Sequence, residues 1–98
     1  MSELSDRRRH PRTPVTLLVQ HDGEEIDYAT DLSPGGLFIQ TRRPATRGAT
    51  VQVQFSPNRD SNLVHAFCRV ARVTPEGMGA AFLALDPEAT ALVARALA

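Results

Sequence analysis

The chain has 98 residues, enough for one domain and too few for two. Its 11 basic and 11 acidic side chains give a formal net charge of +0, which excludes a global field attracting nucleic acid or anionic lipid and leaves room only for local basic clusters. With 42% apolar residues, 4 Phe and 1 Tyr, the core has to be built mainly from Val, Leu, Ile and Ala, and the single cysteine, Cys68, cannot close an internal disulfide.

Residues 1–12 carry charge without apolar periodicity, and the His10-Pro11 step disfavours helix, so this stretch reads as a flexible, Arg-rich arm. No apolar h-region follows Met1-Ser2-Glu3-Leu4, and no run approaches the ~18 apolar residues of a membrane span. A cytoplasmic protein without membrane insertion is expected. From Thr13 the pattern changes. Val15, Leu17 and Val19 alternate with Thr16, Leu18 and Gln20, the period of a half-buried strand, and Asp22-Gly23 is a tight-hairpin signal. The return strand, Glu24 to Thr30, alternates more weakly through Ile26, Tyr28 and Thr30.

A polar turn, Asp31-Leu32-Ser33-Pro34-Gly35-Gly36, then leads into the apolar strand Leu37 to Thr41. After a polar loop from Arg42 to Gly48, the residues Val51, Val53 and Phe55 mark a fourth strand, and Ser56 to Asn62 form a second loop. The fifth strand, Val64 to Val73, is the longest. Val64, Ala66, Cys68 and Val70 lie on one face and His65, Phe67, Arg69 and Ala71 on the other; both are partly apolar, so the core is expected on one side and a packed helix on the other. Thr74-Pro75-Glu76-Gly77 is a hairpin turn, and Met78 to Leu85 returns as the sixth strand. Asp86 then caps a helix beginning at Pro87, with Ala89, Leu92, Val93, Ala96 and Leu97 on one face. About eleven residues of helix are marginal alone in water, so it must dock on the sheet. The fold class is mainly β: a six-stranded antiparallel barrel over residues 13–98 with a C-terminal α-helix.

Two clusters carry chemistry. Arg8 and Arg12, four residues apart in a non-helical arm, can close round one ligand, with Arg7 and Arg9 beside them. Guanidinium makes forked hydrogen bonds to phosphate oxygens and to the O6 and N7 acceptors of guanine. The carboxylate of Asp31 suits the N1–H and N2–H₂ donors on the opposite edge of the same base. Ser33 supplies a further hydrogen-bonding group, and Gly35 and Gly36 leave room for base or ribose. Each cluster alone also reads as structure: a solvated basic arm, and a hairpin turn held by Asp and Ser side chains.

Together, Arg8-x-x-x-Arg12, preceded by Arg7, and Asp31-x-Ser33-x-x-Gly36 resemble the two motifs of PilZ domains, bacterial receptors for the second messenger cyclic di-GMP. One hairpin separates them, and Gly77-Met78-Gly79-Ala80-Ala81-Phe82 leading to a terminal helix extends the likeness over nearly the whole chain. The resemblance implies that Arg8 and Arg12 bind guanine and phosphate, that Arg7 assists, and that Asp31, Ser33 and Gly36, with Gly35 alongside, line the base pocket. It implies a non-catalytic receptor whose arm orders over the ligand. Little precedes the arm, so the signal is expected to pass to a separate protein partner as a changed surface. Whether one cyclic di-GMP or a stacked pair binds is open, as are the oligomeric state and the choice among motility, polysaccharide, pilus function and gene expression.

Other chemistries find no support in the residues. His10, His21 and His65 lack metal-ligand spacing and read as ordinary polar or surface histidines, so no metal or cofactor is expected. Ser33 lacks a nucleophile-elbow context, and no acid/base pair can be assembled, so an enzyme is not expected. Cys68 reads as a small buried hydrophobe, and Arg42, Arg43, Arg69 and Arg72 as solvated positions. Two alternatives stand beside the receptor: a protein-interaction module of the same fold with weak or no ligand binding, and a small nucleic-acid-binding barrel. The neutral charge and scattered aromatics disfavour the latter, so no DNA or RNA partner is expected.

Overall fold

A computed structural model describes residues 12–21, 25–57 and 63–97. Six strands, β1 (Thr13–His21), β2 (Glu25–Ser33), β3 (Gly36–Gln40), β4 (Thr50–Phe55), β5 (Val64–Thr74) and β6 (Gly77–Ala84), precede one helix, α1 (Pro87–Ala96). All pairings are antiparallel, and the order β1-β2-β3-β6-β5-β4 closes on itself through β1 and β4, with Val19 opposite Phe55 and His21 opposite Val53. Closure removes the exposed edges that an open sheet of this size would carry.

The alternation in the sequence maps onto the two faces of the wall. Val51, Val53 and Phe55 of β4, Val64, Ala66, Cys68 and Val70 of β5, and Leu37 and Ile39 of β3 are buried in one cluster. Phe55 stacks against Phe82 with ring centroids 6.2 Å apart. Burial pushes the Cys68 thiol up to about 12, which keeps it protonated and consistent with a small hydrophobe.

Helix α1 joins this same cluster. Ala89, Leu92 and Val93 are buried among the strand residues, each larger side chain contributing roughly 1.5–3 kcal/mol by leaving water. The Asp86 carboxylate accepts the Ala89 N–H at 2.7 Å, and Pro87 opens the first turn. The outer face of β5 is not covered: His65, Phe67, Arg69 and Ala71 are all exposed, against the expectation of a helix packed there. The apolar stripe of the helix is satisfied by the core, which leaves no second stripe for the outside of the barrel.

The period of two breaks at three β-bulges, between Pro14 and Leu17, between Ala29 and Asp31, and in β5 between Val70 and Arg72, with a further shift between Phe67 and Cys68. In β2 the buried residues are Ala29 and Leu32, and Ile26, Tyr28 and Thr30 face solvent. The strand also runs three residues beyond Thr30, so Asp31 and Ser33 belong to β2 and the turn shrinks to Pro34-Gly35.

Of the two readings of the histidines, ordinary polar or surface, His21 takes the first. It is 2% exposed, and its Nε2 lies 2.9 Å from Asp27 Oδ2 on the neighbouring strand. Burial raises the Asp27 carboxyl, but hydrogen bonds from His21 and Thr41 and the attraction of His21 outweigh it and hold the group below its ordinary value. An ionised carboxylate accepts only, so Nε2 carries the donating proton.

Candidate functional site

The first strand begins beside the turn that ends the second, and this brings the two sequence clusters together. Thr13 pairs with Leu32 and Pro14 with Asp31, which carries Arg12 to the rim where Asp31 emerges. Arg12 Nη1 lies 3.4 Å from Asp31 Oδ2, with about a third and a quarter of the two side chains exposed. At this length and exposure the pair is loose, worth at most about 1 kcal/mol, and a ligand that offers each partner a better match can replace it.

Asp31 owes its outward aim to the bulge in β2. Strict alternation from buried Ala29 would turn residue 31 inward; the extra residue turns Leu32 inward and leaves Asp31 on the surface. Ser33 is largely engaged by the turn itself: its Oγ accepts the Gly35 N–H at 3.2 Å and donates to the Gly36 carbonyl at 3.4 Å. The Gly35 carbonyl accepts the Phe82 N–H at 2.8 Å, which ties the turn to β6.

Gly36 has a structural reason beside the one read in the sequence. It is buried in the β3–β6 ladder opposite Ala81, and a Cβ there would run into the Ala80 carbonyl oxygen. The residue makes room for a neighbouring strand, and it also lines the cleft next to Ser33.

Arg12, Asp31, Ser33, Gly35 and Gly36 line one cleft of about 160 Å³. Arg7 and Arg8, with Arg9, lie outside the described residues. A second cleft of about 360 Å³, running past Thr30, Phe38, Gln40 and Thr74, shares Asp31 and Arg72 with the first, so the two meet along one ledge of the barrel. Arg72 was read from the sequence as a solvated strand position, far from Asp31 along the chain; no local pattern announces that β5 and β2 face the same hollow. A wider hollow of about 770 Å³, towards the other rim, is lined by Asp27, Thr41, Arg42, Arg43 and Glu76 among others and contains none of the motif residues.

Among the described residues no group of His, Cys, Asp and Glu could hold a metal ion, and no helix is long and apolar enough to cross a membrane. The arrangement offers guanidinium donors and a carboxylate acceptor a few ångströms apart on a rigid wall. That combination suits a ligand presenting both anionic or acceptor groups and N–H donors.

Fold and cleft together define a small closed antiparallel β-barrel that carries a polar cleft on its outer wall. The family model described as "PilZ domain" matches residues 6–98, and the chain belongs to that family, whose members are generally non-catalytic receptor or effector modules. The solved structure of Bacillus subtilis inhibitor of motility (MotI/DgrA) has the same fold, with a TM-score of 0.78 and 17% identity over 93% of this chain. The chain spans about half, 49%, of that protein's length. No curated protein matches this sequence.

Proposed function

We propose that this chain is a non-catalytic receptor for cyclic di-GMP, with Arg12 and Asp31 reading one guanine and Ser33, Gly35 and Gly36 shaping the cleft beside them. The convergence of Arg12 on Asp31, at 3.4 Å, carries this reading. Two motifs separated by a hairpin meet in one cleft, and their chemistries address opposite edges of guanine: guanidinium the O6 and N7 acceptors, carboxylate the N1–H and N2–H₂ donors. Arg8 is proposed to bind guanine and phosphate groups together with Arg12, with Arg7 assisting. Membership of the PilZ family supports the same ligand.

No covalent step is involved. Ligand binding draws the arginines of the arm against the barrel and so changes the surface that a partner protein meets. Control of motility is one candidate output, in view of the name of MotI/DgrA.

The test is discrimination between bases. The native chain is expected to bind cyclic di-GMP well in preference to cyclic di-AMP, whose adenine lacks the N1–H and N2–H₂ donors. Asp31→Ala should lose most of that preference, a drop of about 1–3 kcal/mol in discrimination, and Arg12→Ala should weaken cyclic di-GMP binding by a similar amount. Equal binding of both dinucleotides by the native chain, or an Asp31→Ala variant with unchanged preference, would contradict the assignment.

A further inference from the structure

We propose that Arg72, outside both motifs, is a ligand-binding residue of this cleft and presents its guanidinium plane to a guanine base. The proposal rests on the cyclic di-GMP reading above.

Four strands set Asp31, Phe38, Gly79 and Arg72 in a single cross-strand row. Asp31 lies opposite Phe38, Phe38 opposite Gly79, and Gly79 opposite Arg72. Both ends of the row are placed by bulges. Alternation from Val64, Ala66, Cys68 and Val70 would turn residue 72 into the core; the irregularity between Val70 and Arg72 delivers it to the outer wall instead, as the β2 bulge does for Asp31.

Between them Gly79 provides the floor. A Cβ at this position would lie 3.2 Å from both Cγ and Nε of Arg72, tighter than ordinary packing, so the missing side chain lets Arg72 lie flat across β6. The guanidinium carbon reaches a point 5.6 Å from the centre of the Phe38 ring. Such a contact contributes about 0.5–1 kcal/mol at an exposed site and orients the planar group. Among the described residues no carboxylate comes within ion-pair distance of Arg72, although Asp31 and Glu76 line the same cleft.

Arg72 lines both clefts that meet at Asp31. A guanidinium poised over that ring, 5.6 Å from its centre, offers the cleft a planar group on which a purine can stack. Lysine would retain the charge and lose the plane.

The experiment is titration of the full chain with cyclic di-GMP, comparing native protein with Arg72→Ala, Arg72→Lys, Gly79→Val and Arg12→Ala, with thermal unfolding recorded for each. Arg72→Ala and Arg72→Lys are both expected to weaken binding roughly five- to a hundredfold, the range for losing one stacked base, with unfolding temperatures close to native. Gly79→Val keeps the arginine but fills its seat, and is expected to weaken binding likewise. Native affinity in Arg72→Ala, with Arg12→Ala weakened, would remove Arg72 from the site and leave the receptor reading standing. Native affinity in Arg72→Lys would overturn stacking in favour of a plain charge contact. Absence of binding by the native chain would overturn the receptor reading, and this inference with it.

Discussion

At Gly36 a Cβ would collide with the Ala80 carbonyl oxygen and lie 3.0 Å from Ala81 Cα, and both obstacles are backbone atoms of β6 that cannot swing aside. The glycine of the Asp-x-Ser-x-x-Gly motif is therefore a requirement of the sheet. Gly36→Ala is expected to destabilise the fold by about 1–3 kcal/mol in chemical denaturation, the usual cost of forcing atoms into a packed region. A variant of native stability with reduced ligand affinity alone would instead show that the glycine serves the ligand directly. Asp31 and Arg12 contrast with it. Their side chains are partly exposed and their ion pair is loose, so substitutions there are expected to change recognition far more than stability.

Among the elements, α1 depends on its first turn. Asp86 accepts the Ala89 N–H, and the helix has only ten residues, too short to persist without docking. Asp86→Ala is expected to cost about 1 kcal/mol, read as a fall of roughly 4–8 °C in unfolding temperature for a domain of this size. An unchanged melting curve would mean that burial of Leu92 and Val93 alone fixes the helix. This element was fully legible in the sequence, because cap, proline and helical apolar spacing all agree over one local stretch. The strands were legible for a related reason: Val51, Val53 and Phe55, or Val64 to Val70, alternate without interruption. Legibility failed at the bulges. A constant period ends the second strand at Thr30 and carries no sign that Arg72, an exposed position as its sequence context suggests, shares a cleft with Asp31. Each bulge inserts a residue that alternation cannot anticipate, and two of them bring Asp31 and Arg72 to the outer wall. The outer face of β5 misled in another way. Phe67 looked like a helix-packing residue and is 57% exposed, since apolar identity does not say which element arrives to cover it.

On the scale of the whole molecule, a closed barrel of neutral net charge holds a local group of guanidinium and carboxylate side chains on its outer wall. The barrel holds the cross-strand row from Asp31 to Arg72 on one wall, with Arg12 at the start of β1 beside it. Motif order, spacing and family were readable from the sequence; the meeting of Arg12 with Asp31 required the β1–β2 register. Calorimetric titration of the native chain with cyclic di-GMP at low and high salt tests this account most directly. Saturable binding with a stoichiometry of one or two ligands per chain is expected, weakened only moderately by salt because base contacts carry much of the discrimination. Absence of saturable binding, or equal and steeply salt-dependent binding of single-stranded oligonucleotides of any base composition, would contradict it.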